Sequence, residues 1–328
     1  MSRQVIIYAK SVKSHLSRLS RWGLKGTLFE IDGVEEDKSI EVYLKIVDFL
    51  IEQDFKKSDL LVAVGGGSLL DLVGFVAATY MRGVDVAFVP TTLLAMVDAS
   101  IGGKNGINRP WGKNIIGTTY LPKKTFLDMF FLSSVPLEQL YPGYVEMLKI
   151  AVVEAFSNLN RRTTIADDKE FSTFLEGWEF PPSDKCIEKA RTLKQAIIDQ
   201  DLNEQGRRYL LNFGHTIGHA LEAYLNYGIS HGEAVQHGMV VEMELLGFPK
   251  KLQKKILSYF PFKSPFPKIE PELFKNILLR DKKNSDGRVA ISNVLDHNNK
   301  NFLTFMDPQT VVEACMKRNP YDCLHTRA

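Results

Sequence analysis

The sequence predicts an α/β domain with a parallel sheet over residues 1–132, followed by a mainly α-helical domain over residues 133–328. Three observations carry that expectation. In the first third, short apolar runs alternate with segments of helical periodicity, the rhythm of a parallel sheet with crossover helices. After about Leu132 the strand signals thin and helical spacing takes over. Finally, 328 residues exceed the roughly 250–300 at which a single core stops growing, so two domains sharing a cleft are the expected plan.

Residues 5–7, 27–31, 60–64 and 84–90 are short and rich in Val, Ile, Leu and Phe, and read as strands. Residues 40–52 and 69–80 repeat apolar positions at helical spacing between them. Further on, residues 136–156, 185–199, 204–223 and 233–246 read as helices, while the prolines at 181–182 and between 261 and 271 read as loops. The polar tail after Asn319, with His325, is expected to carry no chemistry.

Lys plus Arg number 41 against 39 Asp plus Glu, a balance that points away from nucleic acid and acidic membranes, which need a basic surplus on one face. Any anion must be held by local charge. Cys186, Cys315 and Cys323 form no CxxC pair and are odd in number, which excludes a disulfide framework or a thiolate zinc site and implies a reducing compartment. The start of the chain lacks the apolar core of a signal peptide and no apolar run is long enough to span a bilayer, so a cytoplasmic protein is expected.

Val64-Gly65-Gly66-Gly67-Ser68-Leu69-Leu70-Asp71 passes from an apolar strand directly into a helix. Glycines there let backbone N–H groups approach a diphosphate at the helix N-terminus, although a tight strand-to-helix turn would also favour Gly. The next strand ends in Pro90-Thr91-Thr92, which puts two hydroxyls on the same carboxyl edge, as cofactor contacts or as an N-cap. Asp98, then Gly102-Gly103-Lys104 and Gly112-Lys113-Asn114, form a Gly-rich segment that reads as a polar ligand loop or a solvated one.

Taken as one helix, residues 204–223 place Arg208, Asn212, His215, His219 and Glu222 along one polar stripe, beside Gly214 and Gly218. Two histidines four residues apart suit a metal or a polyhydroxylated ligand. His231 opens the next helix after a Gly-containing turn and is a candidate third ligand. Glu146 and Lys149 are an i,i+3 pair of the kind usually found on a surface. Two histidines and one carboxylate with an open position are a common catalytic zinc set, which Glu146, His215 and His231 satisfy. Periodicity alone does not choose among the acidic residues.

These motifs resemble the 3-dehydroquinate synthase family of sugar-phosphate cyclases. Gly65-Gly-Gly, Ala78-Thr-Tyr-Met-Arg-Gly83, Pro90-Thr-Thr-Leu-Leu-Ala95, Gly102-Gly-Lys, Gly112-Lys-Asn-Ile-Ile-Gly117, Leu211-Asn-Phe-Gly-His-Thr216 and His231-Gly-Glu-Ala-Val235 occur in family order, covering residues 35–284. The resemblance implies a dehydroquinate synthase-like fold, NAD as cofactor, Zn2+ or Co2+ held by Glu146, His215 and His231, and a homodimer. It implies NAD contacts from Glu35, Lys38, Gly65, Gly66, Gly67, Asp71, Thr91, Thr92 and Lys113. It places Arg82, Asp98, Lys104, Asn114, Lys149, Lys194, Arg208, Asn212, His219 and one of Lys282 or Lys283 in the substrate site, with Arg82 helping to hold the phosphate. The implied reaction oxidises a ring hydroxyl, eliminates phosphate, returns the hydride and closes a carbocycle by an aldol step, so that NAD is regenerated in each turnover.

The chain departs from the family pattern at its start, where the strand and hairpin before the first βα unit are expected to be missing and Tyr8-Ala9-Lys10 replaces the usual polar residue. Val34 stands where Gly is usual, and residues 289–297 fit the pattern poorly. Metal-dependent polyol dehydrogenases share the two-domain plan and the Gly-Gly-Gly-Ser loop, but typically take Asp as third ligand and lack the lysine-rich set. Other cyclases tend to change the positions of Asn212, His219 or the late lysines, all kept here. A non-catalytic binding protein is the alternative from a different class.

Overall fold

The structure, a computed structural model, describes residues 3–158, 175–281, 283–295 and 301–317. Lys282, His297, His325 and Cys323 lie outside the described residues. The chain divides into two compact units, Met1–Gly143 and Tyr144–Ala328. No helix among the described residues is long and apolar enough to cross a membrane.

The first unit is built on strands β1 (Gln4–Ala9), β2 (Thr27–Ile31), β3 (Leu60–Gly65), β4 (Asp85–Pro90) and the short β7 (Lys124–Thr125), in the parallel order β2-β1-β3-β4-β7. The apolar runs of β1, β3 and β4 are continuous because both faces are covered, Val5, Ile7, Leu61, Val62, Ala63 and Val89 all being fully buried, whereas the edge strand β2 is mostly exposed. Helix α1 (Ile40–Glu52) starts where Ser39 accepts a hydrogen bond from the Val42 amide at 3.2 Å. Helix α2 (Gly67–Thr79) buries eight of its 13 residues, which explains its nearly unbroken apolar sequence. The chain steps from β1 outward to β2 and returns on the other side of β1 as β3. Strand order therefore reverses beside the Gly65 loop, the position at which open α/β sheets bind ligands.

The Gly-rich segment is not a loop. Residues Lys104–Arg109 (β5) and Gly112–Thr119 (β6) form an antiparallel hairpin, Ile107 opposite Ile116. It is anchored by the buried Asn105, which donates to the Gly103 and Tyr120 carbonyls at 2.6 and 2.9 Å.

In the second unit, helices α3 (Leu137–Asn158), α4 (Asp184–Gln200), α5 (His215–Tyr224), α6 (His231–Leu245), α7 (Lys250–Ser258), α8 (Pro271–Leu278) and α9 (Pro308–Met316) dominate, as expected. Ile217, Leu221, Ala234, Val241, Phe274, Val289, Ile291 and Val312 share one core. Two strands interrupt the helices, β8 (Val289–Ser292) paired antiparallel with β9 (Leu303–Met306). They account for the four-residue run of full burial at 289–292.

Residues 204–223 are not one helix. A 3-10 turn spans Arg207–Asn212, and α5 begins only at His215, after Gly214 with φ +79°. A Cβ at Gly214 would stand 2.6 Å from Met239 Cγ and 2.7 Å from the Val235 carbonyl oxygen. The break is therefore enforced by the packing of α5 onto α6. Arg208 and Asn212 consequently precede the helix and do not extend the stripe of His215, His219 and Glu222.

Candidate active site

In the first unit, Gly65 ends β3 and Gly66 precedes α2 with no side chain capping it. The first-turn amides are thus offered to an anion at the sheet's carboxyl edge. The Thr91 amide donates to Gly65 O at 2.9 Å and ties the two loops together. Thr92 Oγ1 accepts from the Ala95 amide at 3.1 Å, so this hydroxyl does act as a cap. Asp98 lies half-buried in the π-turn that follows.

Glu35 and Lys38, far from the glycine loop in sequence, meet it in space. Glu35 accepts from Ser68 Oγ at 2.6 Å and Asn108 Nδ2 at 2.8 Å, and Lys38 Nζ donates to Asp71 Oδ2 at 2.7 Å. Burial pushes Asp71 up to about 6 against the pull of Lys38. Burial would also raise Glu35, but Lys38, Ser68 and Asn108 outweigh it and hold the carboxyl below its ordinary value. Asn108 was not signalled by any motif. It links this cluster to the hairpin, its Oδ1 accepting from the Asn114 amide at 2.9 Å. Arg82, Lys104, Lys113 and Asn114 are exposed, Arg82 and Asn114 with φ +62° and +53°.

In the second unit, Glu146 on α3, His215 at the first position of α5 and His231 at the first position of α6 offer ligand atoms all within 4.8 Å of one another. His215 Nε2 and His231 Nε2 stand 3.5 and 3.7 Å from Glu146 Oε1. Ligands at ordinary zinc bond lengths around a tetrahedral centre lie about 3.3 Å apart, so little movement is needed. Glu146 Oε1 is buried with no hydrogen-bond donor, while Oε2 accepts from Lys149 Nζ at 2.5 Å. An orphaned carboxylate oxygen facing two imidazoles fits a divalent cation.

The Glu146–Lys149 pair is thus not on the surface, both residues being at most 2% exposed. Burial would raise the Glu146 carboxyl, yet Lys149 and His231 hold it well below the usual range. Burial and Lys149 keep His215 neutral, with its pKa well below the ordinary value. His231 shows the reverse. Burial opposes its charge, but the neighbouring Glu146 and Glu222 carboxylates raise it to about 10. Glu222 Oε1 lies 3.4 Å from His231 Nδ1, which turns Nε2 toward Glu146. Glu222 was legible only as part of the stripe, not as the partner of His231.

The His219 ring stands 5.2 Å from that of His215 and 6.3 Å from that of His231, beside the three ligands but exposed. Lys194 is buried on α4, and Arg208 is buried with Nη1 donating to Leu202 O at 2.6 Å. Asn212 Nδ2 donates to Glu204 at 2.7 Å, and Lys283 Nζ to Asp281 at 2.9 Å.

The family model described as 3-dehydroquinate synthase N-terminal matches residues 28–141, and the one described as 3-dehydroquinate synthase C-terminal matches residues 143–284. A 3-dehydroquinate synthase of Pyrococcus furiosus is 38% identical over 275 residues, 81% of this chain and 76% of that one. The Sulfolobus acidocaldarius enzyme of the same name is 38% identical over 250 residues, 74% and 67% of the two chains. In fold, the chain is similar to a 2-deoxy-scyllo-inosose synthase solved with carbaglucose-6-phosphate, NAD+ and Co2+, with TM-score 0.78 and 23% identity over 96% of this chain and 90% of that one. An iron-containing alcohol dehydrogenase of Thermotoga maritima shares the fold more distantly, with TM-score 0.61 and 16% identity over 96% and 90%. With both halves of the family model matched in order, and the relatives covered over most of their length, the chain belongs to the 3-dehydroquinate synthase family.

Proposed function

We propose that this chain is a 3-dehydroquinate synthase, a carbon–oxygen lyase that converts 3-deoxy-D-arabino-heptulosonate 7-phosphate to 3-dehydroquinate and phosphate in the shikimate pathway. The observation that carries the reading is the Glu146–His215–His231 cluster with its undonated buried carboxylate oxygen, in a chain of this family. Residues 1–132 would bind NAD and residues 133–328 the metal and substrate, in a cytoplasmic homodimer that needs neither nucleic acid nor membrane.

NAD supplies a hydride acceptor that is regenerated in each turnover, and Zn2+ or Co2+ supplies acidification of a substrate hydroxyl. The chain's own residues do the rest. The α2 amides beyond Gly65, Gly66 and Gly67 receive the diphosphate, and Glu35, Lys38, Asp71, Thr91, Thr92 and Lys113 orient the nucleotide. Glu146, His215 and His231 hold the ion, with Lys149 fixing the Glu146 carboxylate and Glu222 fixing His231. His219, one turn beyond His215, is placed to exchange a proton with the substrate. Arg82, Lys104, Lys149, Lys194, Arg208 and one of Lys282 or Lys283 would supply the local positive charge that a near-neutral chain needs to hold a phosphate and a carboxylate, with Asp98, Asn114 and Asn212 as polar contacts.

The test follows reduced nicotinamide and phosphate together. With NAD, zinc and the heptulosonate phosphate, one phosphate should appear per substrate consumed while NADH stays transient. Steady NADH accumulation equal to substrate loss, without phosphate, would instead make the protein a polyol dehydrogenase, the activity carried by its more distant structural neighbours.

A further inference from the structure

Helix α5 carries His215 at its first position, yet nothing in its own segment caps it: Gly214 precedes it in the left-handed region without a side chain. The cap comes from α6. Glu242 Oε2 accepts from the Gly214 amide at 2.7 Å, across 28 residues of sequence. Glu242 lies eleven residues after His231, three helical turns on, so one face of α6 carries both. That face presses directly on α5. A Cβ at Gly238 would fall 1.9 Å from Gly214 O, and one at Gly218 would fall 3.1 Å from Ala234 O.

A carboxyl group is an expensive choice for this place. Glu242 is fully buried, and its Oε1 has no hydrogen-bond partner. Burial pushes it up to about 8, with the Gly214 amide, Lys283 and the Ile217 amide pulling the other way. A leucine would fill the volume without the desolvation cost. What an apolar residue cannot do is accept from Gly214 and fix the rotation of the residue that follows it.

We propose that Glu242 is a positioning residue for the metal centre: it clamps the start of α5 and so sets the direction in which His215 presents its imidazole. The inference rests on the metal-binding reading above, and the controls separate the two. Wild-type protein that binds no zinc or cobalt would remove that reading, whereas metal-binding wild type with unaffected variants would remove this one.

The experiment compares Glu242→Leu, Glu242→Asp and Glu242→Gln by cobalt titration against a chelator, the visible spectrum of the Co2+ protein and thermal unfolding of the metal-free protein. Gln retains an acceptor oxygen at the same reach and should keep affinity within about threefold of wild type, with an unchanged cobalt spectrum. Leu should lose about tenfold or more in affinity and shift the spectrum, the scale expected when a group supporting a ligand is removed. Asp, one methylene short, should follow Leu and decides the matter if Leu does not fold. A purely structural role would lower the metal-free unfolding temperature while leaving affinity and spectrum intact in the folded protein. That result, or a Gln variant as impaired as Leu, would overturn the proposal.

Discussion

His215→Ala should lose its divalent ion and its turnover together. The substitution removes one of three ligands and leaves Glu146 Oε1, already buried and without a donor, facing a single imidazole. Two protein ligands on separate helices are too few to hold a catalytic zinc against bulk chelation. Because a metal contributes several kcal/mol to stabilising developing charge, turnover should fall by at least about 10³-fold. Metal analysis after gel filtration and a phosphate-release assay check both halves of the expectation. A folded variant with stoichiometric metal and normal turnover would remove His215 from the ligand set. The effect should be confined to the second unit, with NAD affinity retained, since all the proposed nucleotide contacts belong to the first.

Gly238→Ala should be nearly as damaging, though residue 238 touches no substrate. Its new methyl group would meet the Gly214 carbonyl oxygen at 1.9 Å, the Gly214 carbonyl carbon at 2.7 Å and the Gly218 nitrogen at 3.0 Å. These are backbone atoms with no rotamer to yield, so α5 and α6 must move apart. A destabilisation of about 3 kcal/mol is expected, at the upper end of ordinary overpacking. The same separation pulls His215 from His231, so metal affinity should fall as well. Gly247→Ala is the control. Gly247, unlike Gly238, has positive φ, but open space surrounds its Cβ position, and the change should cost only the left-handed backbone penalty of about 1–2 kcal/mol. Urea unfolding with metal titration distinguishes a packing effect from a backbone one. Equal, small losses in both variants would show that the helix crossing can relax.

The parallel sheet was legible because three of its strands are buried on both faces, which writes apolar runs into residues 5–7, 60–64 and 86–89. The β5–β6 hairpin was not. Most of β6 is exposed, so no apolar alternation marks it, and its glycines and lysines resemble a loop. Strands β8 and β9 escaped for another reason: each is four residues long, too short for periodicity to separate from the flanking helices. The cluster of Glu146, His215 and His231 was legible from residue type and spacing, and through the family resemblance that selected Glu146 among the acids. The error over residues 204–223 came from the same periodicity. Continuous spacing cannot reveal that Gly214 must adopt positive φ, because the requirement comes from Met239 and Val235 on another helix. Glu242 was invisible for a related reason, the Gly214 amide it accepts from lying 28 residues away.

The division of the chain at Gly143 and Tyr144 has a thermodynamic consequence. Glu146, His215 and His231 all belong to one unit, and the glycine loop with Glu35, Lys38 and Asp71 to the other. A ligand that binds only folded protein raises stability by mass action, by about 4 kcal/mol at a thousandfold excess over its dissociation constant. Each cofactor therefore acts on the folding equilibrium of the unit that holds it. On the proposed function, calorimetry should record two linkage relations rather than one, the divalent ion moving the transition of residues 144–328 and the dinucleotide that of residues 1–143. The three ligands span 85 positions of sequence from Glu146 to His231, so the ion site comes into being only once α3, α5 and α6 have closed on one another. Metal uptake is thereby a reporter for the folding of that half of the molecule.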